Sequence, residues 1–81
     1  MVSKVEFGEN IFIVPIAHVN YMCWSGAGQI LIDFKTGRNL IIGNNPEDPV
    51  DIDPRMIGNL RRAFDMLVSD LELYNSLEGT L

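Results

Sequence analysis

The sequence predicts an α+β fold, a small antiparallel sheet of about four to five strands followed by one long C-terminal helix packed on one sheet face. Three observations carry this. Short β-branched and aromatic segments, separated by glycine-containing turns, fill residues 2–43. A polar loop broken by Pro46 and Pro49 follows over 44–52. Residues 53–77 then show apolar positions at helical spacing, with no proline after Pro54.

Val2 to Phe7 reads as a short edge strand with Val5 and Phe7 on one face, closed by a turn at Gly8-Glu9-Asn10. Ile11 to Ile16 is nearly all apolar, the pattern of a strand covered on both faces. Pro15 lacks an N–H, so pairing should stop or bulge there. Val19 to Trp24 is the next strand, and Ser25-Gly26-Ala27-Gly28 a connection. Gln29–Lys35 and Asn39–Ile42 form a hairpin around Thr36-Gly37-Arg38, where Gly37 can supply a positive φ. Alternation puts Ile30, Ile32 and Phe34 on one face, matched by Leu40 and Ile42, with Ile41 pointing away.

The helix has a defined start. Asp53 can cap the first turn through its carboxylate, and Pro54 fits the first helical position, where no N–H is needed. Ile57, Leu60, Phe64, Leu67, Leu71 and Tyr74 form one apolar stripe, with Asn59, Arg62, Asp65, Ser69 and Glu72 mostly opposite. Gly58 costs roughly 1 kcal/mol against alanine, either to admit a close neighbour or simply tolerated. Gly79 can end the element.

Length then becomes informative. A helix of about 24 residues spans roughly 36 Å, whereas short strands extend only about 20 Å. Met56, Ala63, Met66, Val68, Leu73 and Leu77 also widen the apolar surface beyond the main stripe. A second copy of the chain is the simplest cover for the overhang, which makes Leu67, Leu71, Tyr74 and Leu77 the expected oligomer interface. The competing possibility is a break near Ser69 with fraying beyond it.

Eighty-one residues fit a single domain, 1–81, and 47% hydrophobic content is too high for disorder. A net charge of −5 disfavours nonspecific binding to nucleic acid and to anionic membranes. No apolar run approaches the ~20 residues of a membrane span, and the opening MVSKVEFGEN lacks a signal-peptide core. The single Cys23 excludes an intrachain disulfide and fits a reducing compartment, so a cytoplasmic location is expected.

Chemistry-bearing patterns are sparse. His18 and Cys23, each unique, are five residues apart and would face opposite ways along a straight strand. Two such residues are too few for a structural zinc site. Glu47, Asp48, Asp51 and Asp53 fail the calcium-loop template, because Arg55 and Met56 stand where an oxygen ligand and a glycine belong. The Ser25–Gly28 loop precedes a strand, not the helix a phosphate-binding loop requires. Lys35, Arg38, Arg55, Arg61 and Arg62, with Trp24, Tyr21 and Phe34, could build a composite nucleic-acid patch across subunits.

The sequence therefore reads as a non-catalytic, homo-oligomeric assembly or protein-interaction module. No catalytic, cofactor-binding or metal-binding residues are assigned, and no cofactor is expected. The alternatives are a nucleic-acid-binding regulator using that patch, and a ligand-binding protein with a site between subunits.

Overall fold

The structure is a computed structural model that describes residues 1–44 and 52–79; most of the 44–52 loop lies outside the described residues. Among the described residues five strands and one helix make an α+β arrangement: β1 (Val2–Phe7), β2 (Asn10–Pro15), β3 (Val19–Ser25), β4 (Gln29–Phe34), β5 (Asn39–Gly43) and α1 (Pro54–Gly79). The strands do not join into the one sheet expected. β1 and β2 form a two-stranded antiparallel hairpin, and β3-β4-β5 a separate three-stranded meander.

The division falls where Pro15 ends β2. Ile16–His18 turns as a short 3₁₀ segment before β3 begins. Pro15, with its fixed φ and no N–H to offer a further strand, is the last residue of β2, and the chain changes direction directly after it. Ile16 is fully buried at this junction, and its N–H donates to the carbonyl of Met1 at 3.1 Å.

Within the meander the alternation holds as expected. Ile30, Ile32 and Ile42 are buried, with Met22 opposite Ile32 and Trp24 opposite Ile30 on the same face. Gly37 closes the β4–β5 turn at φ 89°, and its N–H donates to the carbonyl of Phe34 at 2.9 Å. The first turn is tighter than expected: Asn10 already pairs with Phe7, which leaves Gly8-Glu9 as the connection.

One expectation is corrected in β2. The run Ile11 to Ile16 suggests burial on both faces, but Ile11 is 60% and Ile13 58% exposed. A two-stranded hairpin at the margin of the fold has only one face to bury, and Val14 and half-buried Phe12 occupy it. The β-branched residues on the other side still favour the extended backbone.

The helix is continuous through Ser69 and 26 residues long, roughly 39 Å. Asp53 caps it: its Oδ1 accepts from the N–H of Met56 at 2.9 Å. Leu60 and Leu67 are buried in the same cluster as Val5 and Val14 of the hairpin and Ile30, Ile32 and Ile42 of the meander. The helix accordingly borders β1, the 3₁₀ segment, β3 and β4, drawing on both sheets. The molecule measures 44 × 24 × 21 Å, its long dimension set by a helix that outruns the strands.

Candidate interaction surface

Three of the four residues that the sequence assigned to an interface pack in or against the chain's own core. Leu67 has no accessible surface and belongs to the chain's own core. A continuous stripe does not announce where the chain's own sheets stop covering it, and they still cover this turn. Leu71 and Tyr74 are half-buried and pack against the same cluster, while Leu77 is exposed.

A second line of side chains runs along the helix beside that stripe. Met66 (42% exposed), Leu73 (51%) and Leu77 are spaced by seven and four residues, which aligns them along one side. Arg62 and Ala63 lie on the same side, one turn earlier. Here the helix meets β1. Lys4, Val5 and Glu6 form one wall of an open groove of about 390 Å³, with Arg62, Ala63 and Met66 as the other. Further along, the hydroxyl of Ser3 donates to the carboxylate of Asp70 and fastens the strand to the helix.

The groove also contains backbone. Among the described residues β1 pairs with β2 alone, and antiparallel ladders alternate hydrogen-bonded and non-hydrogen-bonded positions. Ile16 bonds Met1, and Pro15, opposite Val2, has no N–H to give. By alternation Ser3, Val5 and Phe7 face β2 with their peptide groups, whereas those of Val2, Lys4 and Glu6 point to the open edge. On the solvent face of β1, Lys4 Nζ lies 3.3 Å from Glu6 Oε1, with both side chains more than half exposed.

The other candidates are not brought together. His18 sits on the 3₁₀ segment and Cys23 on β3; both are exposed, and no hydrogen bond joins them. Tyr21 and Trp24 lie an odd number of positions apart on β3, and only Trp24 turns inward, its ring centroid 5.9 Å from that of Phe64. The three aromatics therefore share no stacking face. Arg61 is spent locally, its guanidinium 5.6 Å from the centroids of both rings and its Nε 3.2 Å from Asp65. Glu47, Asp48 and Asp51 lie outside the described residues, and among the described residues no three His, Cys, Asp or Glu side chains are grouped to share a metal.

Among the described residues no helix is long and apolar enough to cross a membrane. No family model matches the chain, nor does any curated protein or solved structure. The described surface joins an open strand edge to an apolar helix flank.

Proposed function

We propose that the chain is a small, non-catalytic assembly module that works as a homo-oligomer, most simply a dimer, in the cytoplasm. The observation that carries this is the flank of α1 beside β1, where Met66 and Leu73 remain open to water next to the groove. Large apolar side chains aligned on one side of a helix gain free energy when a partner covers them, about 25 cal/mol per Å² of apolar surface removed from water. The interface consists of this flank together with Tyr74, Leu77 and the exposed part of Leu71. Leu67 supports it from beneath.

Sedimentation equilibrium tests the reading. The wild-type chain should behave as a dimer at micromolar concentration, and Leu73→Asp should weaken association while leaving the far-ultraviolet circular dichroism unchanged. A wild-type chain that sediments as a 9.1 kDa monomer up to about 100 μM defeats the proposal. An undiminished dimer in Leu73→Asp removes this flank from the interface.

A further inference from the structure

We infer that two copies associate by pairing β1 with β1 in antiparallel fashion, in the register that sets Lys4 of each copy opposite Glu6 of the other. This rests on the self-association reading and specifies its geometry: a two-fold axis at Val5, and a continuous four-stranded sheet in the order β2-β1-β1-β2.

The occupant of the groove follows from what lines it. One wall is the edge of β1 that no other described strand pairs, and its outward peptide groups belong to Val2, Lys4 and Glu6. An extended strand is the ligand that satisfies such an edge. A second copy of the same strand supplies one without any further component, and closed two-fold pairing is the commonest route to a symmetric dimer.

The register follows from side-chain direction and charge. A two-fold axis perpendicular to the sheet keeps inward residues opposite inward ones, so partner positions must sum to an even number. A sum of eight places Lys4 against Lys4 of the second copy, and a sum of twelve places Glu6 against Glu6. Both set like charges directly opposite one another, which destabilises a sheet pair. A sum of ten places Val5 on the axis and creates two Lys4–Glu6 cross-strand pairs. It also brings the open-edge peptide groups of Lys4 and Glu6 into register as hydrogen-bonding partners.

Charges on an edge strand ordinarily discourage pairing. They do so when they point inward or share a sign. On β1 they lie on the solvent face, alternate in sign, and sit symmetrically about Val5, so the edge is complementary to itself. The present Lys4–Glu6 contact within one strand is exposed and contributes little, so exchanging it for two contacts between strands costs little. The same axis places both helices on one side of the joined sheet, with the Met66 flanks turned towards each other. A single arrangement therefore covers the groove, the open edge and the apolar flank.

Charge reversal in wild-type background is the test. Lys4→Glu leaves two acids on β1 and Glu6→Lys leaves two bases, so each variant alone opposes like charges twice. Each should dimerise at least about ten-fold more weakly than wild type at low salt, where exposed charges are least screened. An equimolar mixture of the two restores both attractive pairs and should form a heterodimer, as should the doubly reversed Lys4→Glu/Glu6→Lys chain with itself. Both side chains are exposed, so folding should be retained, as circular dichroism would verify. If wild type is a dimer and both single variants associate equally well, the β1 register is wrong while self-association stands. If wild type is a monomer throughout, self-association itself falls.

Discussion

Ser3 donates its hydroxyl hydrogen to Asp70, joining the first strand to the helix across 67 positions of sequence. Ser3 is buried and Asp70 half-buried, so neither group has water as a ready substitute. Ser3→Ala should cost about 1–2 kcal/mol by leaving the carboxylate without its donor. In a double-mutant cycle with Asp70→Ala, measured by urea unfolding, the two losses should be clearly less than additive. Full additivity would mean that the bond contributes nothing to stability.

Two glycines should separate by surroundings. At Gly43, φ is 109° and an added Cβ would run into the carbonyl oxygen of Gly28 as well as Leu60 Cδ1. Gly43→Ala should therefore destabilise by on the order of 3 kcal/mol, combining backbone strain with overpacking. Gly58 is helical with nothing near a new Cβ, so it admits no close neighbour and Gly58→Ala should stabilise by about 0.5–1 kcal/mol. Thermal unfolding of both variants gives the comparison, and a neutral Gly43→Ala would show that β5 can shift away from Gly28.

The cap offers a cleaner measurement. Asp53→Ala removes the acceptor for the Met56 N–H and should cost about 1 kcal/mol. Asp53→Asn keeps an acceptor oxygen and should lose much less. Equal losses in guanidinium titrations would point to charge, not the hydrogen bond, as the source.

Local chemistry made much of this fold legible. Asp53-Pro54 marked the helix start, the stripe from Ile57 to Tyr74 its buried side, and Gly37 the last hairpin turn, because each signal acts within a few residues. The separation into two sheets was not legible. It depends on how the chain turns between Pro15 and Val19, and no residue there carries a distinctive turn signal beyond the proline. The open face of β2 was hidden for a related reason: Ile11 and Ile13 suit a strand whether or not anything covers them. Along the helix the apolar period could not tell Leu67, sealed by the chain's own strands, from its neighbours on the stripe. The groove beside β1 escaped entirely, because strand edges become sites only once pairing partners and the helix position are known.

Leu67 and Phe64 are adjacent on the stripe but unequal in burial. Leu67 is fully enclosed, so Leu67→Ala should cost about 3–4 kcal/mol through lost burial and a residual cavity. Phe64 is half-buried against Trp24, and its truncation should cost less, about 2–3 kcal/mol, despite the larger side chain. Chemical denaturation ranks them, and the reverse order would mean that the Trp24–Phe64 contact outweighs the burial of Leu67.

The enclosure of Leu60 and Leu67 has a further consequence in time. All five strands are complete by Gly43, yet the helix residues that share their core arrive later in the chain. At typical synthesis rates the roughly two dozen residues from Gly43 to Leu67 take about 1–5 s to add. During that interval Val5, Val14, Ile30, Ile32 and Ile42 lack their helical cover, far longer than the microseconds a hairpin needs to form. Until the helix arrives the strands have nothing to bury those side chains against, so a chain truncated after Gly43 should aggregate rather than fold, as light scattering would show.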